Sequence, residues 1–135
     1  MATKTNAVRL VQQAGIPCRE AFYEFDEQDL SGVHAAQAVG MPEEQVFKTL
    51  VARGEKTGIN VFCIPVCCEL DLKKAAKAAG DKNMELVAVK ELLGLTGYIR
   101  GGCSPVGMKK HYPTFIDETC TLWDEIAVSA GARGH

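Results

Sequence analysis

The stretch Gly101-Gly102-Cys103-Ser104-Pro105-Val106-Gly107 packs three glycines and a proline into seven residues. Proline lacks an amide donor and glycine loses the most backbone freedom on ordering, so neither a helix nor a central strand runs through it. The chain must fold around a special loop, with regular elements before and after. Glycines let a ligand approach main-chain N–H groups closely, which suits an anion, a carbonyl or a developing oxyanion. A tight surface turn is the alternative reading. The run matches neither the P-loop, which ends in Gly-Lys-Ser/Thr, nor GxGxxG.

Periodicity places the flanking elements. Ala7, Leu10, Val11 and Ala14 recur at helical spacing, with Gly15 as a stop. Arg19 to Phe25 alternates, with Ala21, Tyr23 and Phe25 on one side, and predicts a strand. Ser31 caps a short helix carrying Val33, Ala36 and Val39 and ending at Gly40, and Pro42-Glu43-Glu44 opens another turn. Gln45 to Val51 and Ile59 to Val66 read as a hairpin linked through Arg53 to Gly58. Asp71 opens a helix from Leu72 to Ala79, closed by Gly80. Met84 to Val87 predicts a short strand and Val89 to Leu95 a short helix running into Gly97. Beyond the loop, Thr114 to Asp117 and Glu125 to Ser129 predict two more strands. Helices and strands mix without regular βαβ alternation, so the expected class is a single α+β domain.

Composition bounds the function. The chain has 135 residues, 47% hydrophobic and 24% charged, which is enough for one core and excludes disorder. Its longest apolar run, Val61 to Cys68, is eight residues against the roughly 20 of a spanning helix. The N-terminal Met1-Ala2-Thr3-Lys4-Thr5 lacks a signal-peptide core, so a soluble, cytoplasmic protein with no membrane partner is expected. A net charge of −2 argues against binding along duplex DNA, which needs many phosphate contacts, yet is compatible with holding one single-stranded end. Lys73, Lys74 and Lys77, and Arg100, Lys109 and Lys110 around the loop, read first as solvated faces. Six cysteines are expected to stay thiols; Cys63, Cys67 and Cys68 have no zinc spacing, and neither metal nor cofactor is expected.

Lys48 is the second chemical clue. In Val46-Phe47-Lys48-Thr49-Leu50-Val51 it shares a strand face with Val46 and Leu50. There it must snorkel to water, meet an anion or line a cleft. As a site residue it grips a phosphate or carbonyl oxygen as a point charge. Nucleophilic machinery is missing. Ser104 precedes a proline outside any G-x-S-x-G elbow, Cys103 has no assignable histidine, and His34, His111 and His135 are scattered.

Taken together, Val46-Phe47-Lys48-Thr49-Leu50, Leu70-Asp71-Leu72-Lys73-Lys74, and Gly97-Tyr98 through Gly101-Gly102-Cys103-Ser104-Pro105-Val106-Gly107 with Lys109-Lys110 and Pro113 resemble the YbaK/EbsC family in order and spacing. These are trans-editing deacylases related to the editing domain of bacterial prolyl-tRNA synthetases, and the sequence looks most like those acting on Cys-tRNA(Pro). The resemblance implies a mixed, largely antiparallel sheet, partly barrel-like and flanked by helices, with a cleft for the aminoacylated 3′ end of tRNA. It implies that Lys48 anchors that end, that Gly101 and Gly102 offer backbone groups near the ester, and that Tyr23, Ser104 and Ser129 line the substrate site. It makes prolyl-tRNA synthetase a candidate partner, and Cys103 a bystander, since the substrate's own thiol attacks its ester. Ala-tRNA(Pro) hydrolysis and a non-catalytic module binding a ligand or tRNA end are the alternatives. Family members continue past Gly131 to His135 with an acidic cleft residue and a final helix, so residues 1–135 are expected to be an editing domain truncated at its C-terminus.

Overall fold

The computed structural model describes residues 4–135. Each helix begins and ends where local chemistry dictates. Helix α1, Asn6–Gln13, starts where the Thr5 hydroxyl accepts from the Val8 amide. Helix α2, Gly32–Val39, is capped by Ser31, and α3, Leu72–Ala79, by Asp71, whose carboxylate accepts from the Lys73 and Lys74 amides. Both end on a left-handed glycine, Gly40 and Gly80, as does α4, Val89–Thr96, on Gly97. Pro42 precedes a 3-10 turn at Glu43–Gln45, and a second such turn, Glu118–Leu122, has no counterpart in the sequence reading.

The hairpin forms, and its strands run further than expected. Strand β1, Phe47–Gly54, and β2, Gly58–Pro65, are antiparallel down to the pair Gly54↔Gly58, so only three residues turn between them. Asp81 makes this possible from outside the hairpin, accepting from the Lys56 and Thr57 amides and the Thr57 hydroxyl. Desolvation pulls its carboxyl up, but the Thr57 and amide hydrogen bonds outweigh that and hold it well below the ordinary carboxylate range. Strand β3, Met84–Leu86, joins β1 antiparallel, and β4, Thr114–Ile116, joins β2 in parallel, giving the order β3-β1-β2-β4. The domain is α+β with a mixed, largely antiparallel sheet. The sheet is open, however: β3 and β4 are its edges, and the partial barrel closure expected from the resemblance is not formed among the described residues.

Two expected strands are not strands. Arg19 to Phe25 is irregular and mostly exposed, and its one backbone bond to another segment among the described residues is Tyr23 N–H to the Gly134 carbonyl at 3.0 Å. Alternation suits a pleat but supplies no partner edge. Of Glu125 to Ser129, only Ala127 pairs among the described residues, in parallel with Val46, where it donates to Gln45 and accepts from Phe47. Two apolar clusters hold the sheet. Ala75 and Ala76 of α3 pack on Ala52, Phe62 and Met84, while Ala36 of α2 packs on Val46 and Val66. The Phe62 and Phe115 rings stack at 5.3 Å, tying β4 to β2. No helix among the described residues is long and apolar enough to cross a membrane.

Candidate functional site

The register decides what β1 offers. Its even-numbered residues hydrogen-bond toward β2, beginning with the Val66 amide on the Val46 carbonyl, so the odd-numbered ones face the other edge. On that edge Phe47 is taken by Ala127 and Val51 by the Val87 amide. Thr49 lies between them, its N–H and C=O unpaired among the described residues. This gap in the ladder opens into a cleft of about 910 Å³, which Lys48, Thr49 and Leu50 line. An unpaired strand edge is a ready hydrogen-bonding surface. Nothing in the sequence marks it, because the gap depends on where two distant segments stop.

Lys48 is half-buried, pairs across the hairpin with Ile64, and shares its face with Val46 and Leu50 as expected. It lines the same cleft as Gly101, Ser104, Ser129 and Tyr23. No carboxylate among the described residues lies within ion-pair distance of Lys48 or of Arg100, which also lines the cleft. Arg19, at the same cleft, is neutralised by Glu125. Lys73, Lys74, Lys77, Lys109 and Lys110 are exposed and stand apart from it.

The two loop glycines differ in what they do. Gly101 adopts φ +84°, a conformation side chains rarely take, and packs under Leu30; its amide has no acceptor among the described residues. Gly102 is buried, its amide donates to Ile99 at 3.0 Å, and it does not line the cleft. A Cβ there would sit 2.9 Å from the Ala132 carbonyl carbon, so glycine lets the loop lie against the 132–133 backbone. Arg133 Nε fastens the same contact by donating to the Arg100 carbonyl at 2.9 Å. The Ser104 hydroxyl accepts from the Val106 amide, and the Ser129 hydroxyl from the Gly131 amide, each 3.2 Å away. Both side chains thus shape turns at the cleft wall.

Cys103 is buried beside the loop, and desolvation pushes its thiol up to about 11. It stays protonated at neutral pH and is a poor nucleophile. Cys63 is raised by burial too, while Cys67 and Cys68 are exposed with sulfurs 3.9 Å apart, outside the cleft. Among the described residues no three metal-ligating side chains converge.

The α+β domain thus brings together in one cleft an open strand edge, a cation without an ion-pair partner among the described residues and a glycine-loop amide, groups suited to a ligand that carries both charge and a carbonyl. Residues 30–135 match the aminoacyl-tRNA editing domain, and the chain belongs to that family, whose members are enzymes that edit aminoacyl-tRNA. It is 49% identical over 131 residues, 97% of this chain and 80% of the other, to EbsC of Enterococcus faecalis, a proposed Cys-tRNA(Pro)/Cys-tRNA(Cys) deacylase. A crystal structure of a proposed trans-editing enzyme for prolyl-tRNA synthetase superposes with a TM-score of 0.71 at 33% identity, covering 81% of this chain and 68% of that one. The hypothetical protein APE2540, at 21% identity and a TM-score of 0.83 over 93% of this chain and 82% of its own, shares the fold.

Proposed function

We propose that this protein removes cysteine from mischarged Cys-tRNA(Pro), in the cytoplasm and in association with prolyl-tRNA synthetase. The observation that carries the reading is that Lys48 and the Gly101 loop line one cleft, and that the thiol beside the loop, Cys103, is held protonated by burial. Lys48 takes a phosphate of the tRNA terminus as a point charge. The Gly101 amide and the Thr49 edge meet the ester and its oxyanion, while Gly102 holds the loop in place. Tyr23, Ser104 and Ser129 form the walls around the amino acid. With no enzyme nucleophile, the substrate's thiol attacks its own ester, gaining from proximity. Cysteine and proline are close in size, and a pocket discriminates at roughly 1–3 kcal/mol per methylene, so a second sieve is needed. The test is deacylation of Cys-, Ala- and Pro-tRNA(Pro) by the purified protein. Loss of cysteine with alanine and proline spared supports the reading. Equal hydrolysis of Ala-tRNA(Pro) removes the thiol from the mechanism, and binding of the 3′ end without turnover makes the cleft a binding module.

A further inference from the structure

His135 and Glu20 stand 115 positions apart in the chain and meet in the cleft, Nε2 to Oε1 at 2.8 Å. The imidazole is 6% exposed and lies against the Phe22 ring, centroids 4.2 Å apart, so it is held on two sides. A carboxylate only accepts, so Nε2 carries a proton in either form of the ring, and Nδ1 is the nitrogen free to exchange one. Both residues line the same cleft as Lys48, Gly101 and Ser129. Most of the other ionisable groups of that cleft are committed elsewhere. Arg19 and Glu125 neutralise each other, Cys103 is held protonated by burial, and Lys48 and Arg100 are cations. Tyr23 and Cys18 complete the set.

Building on the deacylase reading, we propose that His135 is the proton carrier of the cleft, with Glu20 as the positioning residue that fixes its tautomer. The nucleophile, whether the substrate's thiol or a water, gives its proton to Nδ1 as its lone pair forms the bond to the ester carbonyl carbon. The bond from that carbon to the ribose oxygen breaks, its electron pair stays on the oxygen, and Nδ1 returns the proton there. The imidazole ends neutral; attack by water releases cysteine directly, whereas attack by the thiol releases the cyclic thioester of cysteine, which one water then opens to free cysteine.

The test is single-turnover deacylation of Cys-tRNA(Pro) against pH for the wild type, His135→Gln and Glu20→Gln. His135→Gln is expected to lower the rate about 10²- to 10⁴-fold with substrate affinity little changed, and to abolish the decline of rate toward acid pH. Glu20→Gln is expected to shift that decline and lower the rate less. A His135→Gln protein that keeps both the wild-type rate and the acid decline overturns the inference alone; absence of wild-type turnover overturns the deacylase reading beneath it. Nitrogen-15 NMR of the wild-type imidazole gives a readout independent of whether the variants fold. A proton on Nε2 in the neutral ring is expected, and a proton on Nδ1 overturns the assignment.

Discussion

Replacing Gly102 with alanine adds one methyl group where backbone stands on the far side. Its Cβ would lie 2.9 Å from the Ala132 carbonyl carbon, 3.0 Å from the Arg133 nitrogen and 3.1 Å from Ala132 Cα. Ordinary contact begins near 3.4 Å, so the two segments must part by about half an ångström, and no flexible side chain is there to yield. Gly102 lies outside the positive-φ set, so the cost is packing and not backbone strain. Overpacking of this kind costs about 1–3 kcal/mol. In a domain of this size that lowers the melting temperature by about 4–12 °C. The separation also moves Gly101 and strains the Arg133–Arg100 tie. Displacements approaching an ångström at a reacting centre cost about a hundredfold in rate, and deacylation is expected to fall about ten- to a hundredfold. Gly94→Ala is the control: it lies within α4 with nothing within 4 Å, and is expected to stabilise by about 0.5–1 kcal/mol with the rate unchanged. Thermal melts and single-turnover deacylation read both effects. A Gly102→Ala protein that melts and turns over like the wild type would refute the close-approach argument.

Cys103→Ala is expected to keep the wild-type deacylation rate, because the thiol is neutral and buried; a hundredfold loss would make it a participant. In the same protein, iodoacetamide at pH 8 is expected to label exposed Cys18, Cys67 and Cys68 well before Cys103, as mass spectrometry of peptides would show. Asp81 stabilises the hairpin turn through a depressed carboxyl, so its contribution is complete above the ordinary carboxylate range and is lost progressively as pH falls from that range toward the depressed folded value. Asp81→Asn is therefore expected to lower the melting temperature at pH 7 and to make acid melting shallower; an unchanged slope would contradict this. Tyr98→Phe removes the 2.6 Å bond to the Val106 carbonyl and is expected to cost about 1 kcal/mol in chemical denaturation.

What was legible in the sequence was what acts locally. Ser31 with Gly40 and Asp71 with Gly80 mark helix limits because a cap satisfies amides two or three residues away. Lys48 was legible as a cation among apolar strand residues, and Gly101 as a backbone that needs freedom. Apart from the short 3-10 turn Glu118–Leu122, which is capped locally by Asp117, the failures are long-range. Arg19–Phe25 and Glu125–Ser129 carry strand alternation, but β1 has room on its free edge only for β3 and a single pair at Ala127. Asp81 lengthens the hairpin from beyond α3, so the turn could not be read from residues 53–58. The contact of Gly102 with the 132–133 backbone, the Thr49 gap and the Glu20–His135 pair join segments whose proximity is created by the fold. His135 looked like one of three scattered histidines because its partner is near the other end of the chain.

The role of Lys48 is the hinge of the account, and one comparison tests it: single-turnover deacylation of Cys-tRNA(Pro) by the wild type, Lys48→Ala and Lys48→Arg at two salt concentrations. A point charge on a phosphate predicts a large loss for alanine, partial retention for arginine, and a weaker salt dependence of binding once the charge is gone. Equal rates and equal salt dependence for wild type and Lys48→Ala would contradict it.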